Sequence, residues 1–541
     1  MSTDDRNYVE KFRSETNPIV FAGGVLLTVA IIAALGAKPA VTGEFLSSAN
    51  SWVVSNLGWF YLWVIFLAFV FAIFLLLGPW GQIKLGSPDE EPEFSYWKYF
   101  VMMFTAGMAG GLAFWGPGEG LVHYSTAPPL LEAGAGTQEI MPGALQYAIF
   151  HTGLSPWSVY VVFGVVIAFF AYRRGASLRP AVLLAPFIGA DNLDGFLGKS
   201  VDILITVISV AGITVSFGAG ITQLLSGLGY NWGIEVGDIG TVVITLLATI
   251  VVTTSASLGI RRGIRRLATF NIYLFIGLML SVLIFGPLTF LLNLGTLTVS
   301  SYFTNFIEMS LFIGSSPEAV QWLSSWTLFF WPWWLSFGPM IGIFIARISR
   351  GRKIREVVFA ALVVAFAITV PWFVTMSGTS IWLQSTGQAD LMAVFGEYGV
   401  EAIGFSLFEA LMPFPQVFSA LFLLLVFSFL ATTIDSSTLS VAMLTVDGNE
   451  DPSTINRVIW GVLIGLLTSI LMVVGGFGAL QAFIILVGLP SAILCAVALI
   501  GMTIEFEREF PVILSSKTWE MQSEEVSTEA GEQKLAGEAD D

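Results

Sequence analysis

Apolar residues run along this chain in blocks of roughly twenty, separated by short polar or charged connectors. Wound as a helix, a block of that length crosses the hydrocarbon core of a bilayer. Twelve blocks can be delimited: residues 18–37, 57–78, 99–115, 144–172, 201–228, 241–258, 270–292, 322–346, 357–376, 417–435, 458–474 and 480–502. Between the seventh and eighth, residues 297–312 mix Tyr302, Phe303, Phe306, Ile307 and Phe312 with Thr304, Asn305 and Glu308. That mixture predicts an amphipathic helix on a membrane surface. The closing stretch EEVSTEAGEQKLAGEADD has almost no apolar content and predicts disorder.

Two blocks are irregular. The eighth, QWLSSWTLFFWPWWLSFGPMIGIFIAR, has no charge before Arg347, yet Pro332, Gly338 and Pro339 interrupt it. Its first half carries Trp322, Trp326, Trp331, Trp333 and Trp334. Trp322 and Trp326 suit the belt at the lipid–water boundary, but the other three lie too deep for it. They either pack beside a proline kink or line a cavity for a cation without N–H donors, which an aromatic face holds by about 2 kcal/mol when desolvated. The third block carries Gly107, Gly110, Gly111, Gly116, Gly118 and Gly120, which permit close packing or local unwinding.

Interrupted helices at matching places in two repeats mark a midplane site of a secondary transporter. Blocks three to seven and eight to twelve then form two five-helix repeats of opposite topology, with the first two blocks as additions. The expected division is a cytoplasmic N-terminus (1–17), two extra helices (18–78), a first repeat (95–293), a surface helix and loop (294–320), a second repeat (321–504) and an acidic cytoplasmic tail (505–541).

Charge fixes the expected orientation. With the N-terminus inside, the inner connectors carry Lys84 and Lys98, then Arg173, Arg174, Arg179 and Lys199. Arg261, Arg262, Arg265 and Arg266 follow, then Arg347 to Arg355, and Arg457; only Lys38 falls outside. This asymmetry predicts a multi-pass protein of the cell membrane with both ends cytoplasmic.

Composition agrees with the class. Of 541 residues, 55% are hydrophobic and 11% charged, against about 25% charged in soluble domains. The net charge is −16, and the acid clusters outside the apolar blocks. That suits the surface of a halophilic organism, and equally a merely soluble tail. No basic patch stands clear of the membrane, so nucleic acid is not an expected partner. The single cysteine, Cys495, forms no disulfide within the chain and no zinc spacing. The N-terminus lacks a cleavable leader pattern, so the first block is read as a retained helix. Two histidines, no HExxH and no paired membrane acids argue against an intramembrane enzyme. His123 and His151 read as proton shuttles or as packing residues. Asp435 reads as a structural acid, and Glu119 as an outer acid that steers cations or caps a break.

Three stretches, WTLFFWPWWLSFGPMIGIFIARISRGRKIRE, AGMAGGLAFWGPGEGLVHY and FLATTIDSSTLS, resemble the eighth, third and tenth helices of the betaine/choline/carnitine transporter (BCCT) family. The resemblance extends over all twelve blocks in order. It implies an all-α polytopic membrane protein with the sodium-symporter, LeuT-like fold. It also implies a secondary transporter of a quaternary ammonium solute, most directly glycine betaine, with sodium as coupling ion, no other cofactor, a lipid environment and a homotrimeric assembly. Choline uptake and sodium-independent carnitine-type exchange stay open.

Family motifs place an aromatic box at Trp157 and Tyr160 of the fourth helix and at Trp333 and Trp334 of the eighth, with Phe337 and Met108 completing the lining. Thr152 stands where an aromatic residue is often found, so that wall is expected to be missing or to be supplied by Tyr147 or Phe150. The resemblance places sodium at Thr432 and Thr433 with Thr105, Met108 and Phe429. Threonine hydroxyls that bond back into their own helix are the other reading. Ile272 occupies the position where sodium-independent members place an arginine, so no built-in cation is expected. A second sodium position is incomplete, keeping Ser209 and Ser216 but having Ile213.

Overall fold

The computed structural model describes residues 3–107, 109–257, 261–446 and 452–512. Among these residues regular structure is helical, apart from one isolated bridge between Lys84 and Lys353.

Polar α1 (Thr3–Glu15) leads into apolar α2 (Pro18–Ala37) through Asn17. The Asn17 side chain accepts from the N–H groups of Ile19 and Val20, each at 3.2 Å, and Pro18 opens the first turn. Both features satisfy the unpaired donors of a helix start. α3 (Pro39–Leu77) has 39 residues and reaches about 58 Å at the helical rise. Sequence reading begins it only at residue 57, because Glu44 and a run of Ser and Asn dilute its first turns. Tyr61, Ile65, Ala68, Ala72 and Leu75 form its buried seam, while Trp52, Trp59 and Trp63 are exposed.

The third block is three short pieces: α4 (Tyr96–Gly107), α5 (Ala109–Trp115) and α6 (Glu119–Thr126). α7 (Met141–Thr152) and α8 (Leu154–Arg174) meet at the non-helical Gly153. The short α9 (Ala185–Ile188) leads to the long α10 (Phe196–Trp232). α11 (Asp238–Ser257), α12 (Arg261–Phe285) and α13 (Leu288–Leu311) follow. At Pro287, which has no N–H to continue the ladder, the chain turns by 111° between Thr269–Phe285 and Leu288–Leu311. α13 buries Leu291, Leu294, Thr298, Tyr302 and Phe306 along one seam against α7 and leaves Phe303 and Ile307 exposed.

The second half holds α14 (Pro317–Ser325), α15 (Thr327–Ile348), α16 (Ile354–Ser385), α17 (Leu391–Tyr398) and α18 (Ile403–Leu411). It closes with α19 (Pro415–Leu444), α20 (Thr454–Val487) and α21 (Leu489–Glu509). The eighth block breaks at Trp326, between α14 and α15, rather than at its prolines; α15 runs unbroken through Pro332 and Pro339. α20 kinks at Gly475 and at Gly476, whose φ of 59° suits only glycine.

Among the described residues, eight stretches are long and apolar enough to cross a membrane, or nine with the bent pair. The chain is therefore a polytopic helical membrane protein. The difference from twelve blocks has local causes. The third block is fragmented, the sixth contributes only the shorter Asp238–Thr254, and the eleventh and twelfth form one kinked run, Thr454–Glu509.

The bundle centre is set by how closely α8 and α15 approach. A Cβ on Gly342 would stand 2.6 Å from the Phe163 Cβ and 3.0 Å from the Gly164 backbone nitrogen, and one on Gly164 would stand 2.7 Å from Ile345. Only glycine permits that distance. At one end of the bundle the basic connectors converge. Arg173 pairs with Glu509 at 2.9 Å and Arg174 with Glu505 at 2.8 Å. Leu85 and Arg352 join the connectors after α3 and α15. The Arg352 guanidinium lies over the rings of Tyr96 and Tyr99 at 4.7 and 4.2 Å, a cation–π clamp on the start of α4.

Candidate functional site

α5, α8, α10, α12, α15 and α19 enclose a cavity of about 360 Å³. Among the described residues, no charged side chain lines it. Tyr160, Trp333, Trp334 and Phe337 face it together, joined by Phe330 and Trp115. The Tyr160 and Trp334 rings lie 5.3 Å apart, and Phe329 stacks on Trp333 at 5.4 Å. Hydrogen bonds hold both indoles: Trp334 Nε1 donates to the His151 carbonyl at 2.9 Å, and Trp333 Nε1 to Ser216 Oγ at 3.2 Å.

Of the residues expected in the aromatic box, Tyr160, Trp333, Trp334 and Phe337 line one space. Trp157 does not line it: fully buried, it packs edge-on against Tyr160 at 5.6 Å. Trp331 also points away, toward Phe150. Thr152 reaches the cavity, but neither Tyr147 nor Phe150 does. The wall they were expected to supply comes from Phe330, one turn before the paired tryptophans. Met108 lies outside the described residues, as does the Thr105 side chain.

Phe429, Thr432 and Thr433 share this cavity, on α19. The Thr432 hydroxyl donates into its own helix, with Ser428 and Phe429 carbonyls at 3.0 and 3.1 Å, and accepts from Asn271 Nδ2 at 3.2 Å. Sequence reading passed over Asn271, although an amide inside TFNIYLF is a visible anomaly. Its Oδ1 is buried and, among the described residues, accepts no hydrogen bond. An orphaned amide oxygen beside two threonines is a donor set that suits a hard cation. Ser216 binds the Trp333 indole, while Ser209 is buried away from the cavity.

The cavity is closed on one side and tapers open on the other. Toward the α14–α15 break, Trp115 packs on Trp326 at 5.5 Å and on Phe330 at 5.2 Å. The breaks after α5 and before α15 thus seal against each other. In the other direction the lining follows α19 through Ser436 and Ser440, and Ser436 is exposed. Thr445, just past α19, accepts the Asn17 N–H at 2.9 Å, so this exit lies at the end where α2 begins.

Three further ionisable groups are buried. Glu119 and His123 are fully buried and adjoin His151. Asp435 is buried, with Arg457 near enough for its charge to act on it.

A multi-pass helical protein with an uncharged aromatic cavity at mid-bundle, sealed at one side and tapering open at the other, belongs to the class of membrane transporters. Within that class the chain belongs to the BCCT, betaine/carnitine/choline family: the family model matches residues 19–511. The chain is 36% identical over 447 residues to the glycine betaine transporter OpuD of Bacillus subtilis, covering 82% of this chain and 86% of that protein. It is 32% identical to an ectoine/hydroxyectoine transporter of Virgibacillus pantothenticus, across 90% and 96% of the two chains. It is 31% identical to the high-affinity choline transport protein of Escherichia coli, across 91% and 72%. The family is one of transporters, not enzymes.

Proposed function

We propose that this chain takes up a quaternary ammonium compatible solute, glycine betaine first, with sodium, for osmoprotection. The observation that carries the reading is the lining of the cavity: Tyr160, Trp333 and Trp334 around a space with no charged side chain among the described residues. A quaternary ammonium group has no N–H to donate, so ring faces are its natural partners. A zwitterion such as betaine also brings a carboxylate, which finds donors among the hydroxyl and amide groups along α10 and α19. Sodium is cargo as well, held by Thr432, Thr433 and the Asn271 carbonyl oxygen.

The cycle follows from which side is sealed. The Trp115–Trp326–Phe330 layer closes one approach while the α19 path stands open, so this is the state that exchanges cargo with the side carrying the basic connectors. Twelve crossings, both termini cytoplasmic, put that side inside the cell membrane. The two five-helix units rock about the cavity, and a homotrimer is the expected assembly.

Uptake of labelled betaine into proteoliposomes, with and without an inward sodium gradient, tests the reading. Accumulation only with the gradient supports it; equal uptake in both conditions removes the coupling. Competition by unlabelled choline, carnitine and ectoine ranks the substrates.

A further inference from the structure

We infer that Glu119, His123 and His151 form a buried proton-binding site linked to occupancy of the cavity, which rests on the transport reading above. The three come from two helices, Glu119 and His123 from α6 and His151 from α7, and all are fully buried. Glu119 Oε1 lies 2.6 Å from His151 Nδ1 and 3.5 Å from His123 Nε2. His151 Nε2 meets Thr327 Oγ1, the first residue of α15, at 2.9 Å. Among the described residues, Glu119 Oε2 and both His123 nitrogens make no hydrogen bond.

The cluster has room for an added proton. A buried carboxylate without a countercharge is costly. One added proton, shared along the 2.6 Å Glu119–His151 contact, makes the cluster neutral; a second would make it positive. The one ring nitrogen of neutral His123 that carries no hydrogen gives the proton an alternative position. Among the described residues, no lysine, arginine or further carboxylate is among the charges acting on the three. Tyr147 of α7 faces them, with Glu308 of α13 acting on Tyr147. Among the described residues, α14 and the break after it present Trp322 and Trp326, and α15 presents Thr327, Phe330 and Trp331, none of them charged. The geometry argues for a proton over a metal ion. Ligand atoms bonded to zinc at about 2.0 Å in a tetrahedron stand roughly 3.3 Å apart, wider than the Glu119–His151 contact.

The link to the cavity is direct. The His151 carbonyl holds the Trp334 indole, and the His151 ring stacks on Phe330 at 4.7 Å. Both Trp334 and Phe330 line the cavity. A trimethylammonium group against those rings places positive charge beside the cluster, which disfavours its protonated form. Binding of the solute therefore releases protons, and by reciprocity deprotonation strengthens binding. Closure across Thr327 then ties the same proton to the α14–α15 seal.

The test is calorimetric titration of betaine into the full chain in nanodiscs, at saturating sodium, in buffers of different ionisation enthalpy and over a pH series. Expected is a buffer-dependent heat showing proton release, with Kd falling as pH rises by at most about tenfold per pH unit for one linked proton. Glu119→Gln, which keeps the shape, and His123→Gln should each reduce the buffer dependence while betaine still binds. Betaine binding with heats independent of buffer in the wild-type protein would overturn the proton site and leave the transport reading standing. A buffer dependence unchanged in both variants would place the proton elsewhere and overturn it too. Zn²⁺ titrated alone should give no heat; tight binding abolished by Glu119→Gln would replace the proton with a metal. No binding of any methylated amine would instead count against the transport reading.

Discussion

The Trp334 indole N–H donates to the main-chain carbonyl of His151 at 2.9 Å. α7 ends at Thr152, so the carbonyls of its last turn have no helical donor. Trp334 fills one of these vacancies, and the bond fixes its ring toward Tyr160 and the cavity. One hydrogen bond thus joins the end of α7 to the wall of the binding space.

Replacing that ring separates contact from support. Trp334→Leu removes both the aromatic face and the N–H, and should weaken betaine binding by about 2 kcal/mol, or roughly 30-fold in Kd. Trp334→Phe keeps a ring and should lose less. Trp157→Leu should act mainly on stability, lowering the melting temperature in detergent with a smaller change in Kd, because Trp157 packs behind Tyr160 and does not line the cavity. Fluorescence titration and a melting curve on each variant check the division. Equal weakening at Trp157 and Trp334 would show that both rings touch the solute.

Much of this was readable in the chain, for physical reasons that differ by element. The deep pair Trp333 and Trp334 stood out because a belt residue has no cause to lie two turns inside a membrane helix. The position of the breaks was not legible. Proline marks a missing N–H, yet α15 absorbs Pro332 and Pro339, and the chain unwinds at Trp326 with φ −123° and ψ −93°. Trp326 packs on Trp115 at 5.5 Å, a tertiary contact that no local pattern encodes. Likewise, Trp157 and Tyr160 share a helix face by spacing alone. Only packing between α8 and α15 decides that Tyr160 reaches the cavity and Trp157 stays behind it.

Asn271 should matter to the ion more than to the solute. Its Oδ1 is a buried acceptor with no hydrogen bond among the described residues, and its Nδ2 holds Thr432 in place. Asn271→Leu removes both functions. The sodium concentration for half-maximal uptake should rise by about tenfold, the worth of one charge-assisted contact, while affinity for betaine at saturating sodium changes little. Uptake measured against sodium concentration reads this directly; an unchanged sodium curve would remove Asn271 from the ion site.

Gly342 should tolerate no side chain. A Cβ there meets the Phe163 main chain, and backbone on a packed helix cannot step aside as a flexible side chain can. Gly342→Val forces α8 and α15 apart and should cost about 1–3 kcal/mol, the usual range for overpacking. The melting temperature should fall, and solute affinity with it, since Tyr160 and Trp334 sit on the two helices being separated.

A carboxyl in the connector between α17 and α18 gives a pH signature independent of transport. Burial raises the pKa of Glu401 above the ordinary carboxylate value, against the Ser226 hydroxyl, which donates to Oε1 at 3.1 Å and pulls it down. The folded chain then holds this proton more tightly than the unfolded chain does. Its contribution to stability is fully present below the ordinary carboxylate pKa of about 4.3 and is lost as pH rises through the raised folded value. Glu401→Gln, neutral throughout, should therefore be more stable than the wild type at neutral pH, and the difference should shrink on acidification. Melting temperatures of the two proteins from pH 4 to pH 8 decide it. A wild-type advantage at neutral pH would mean that the Glu401 carboxylate is stabilised in its charged form, with Ser226 outweighing burial.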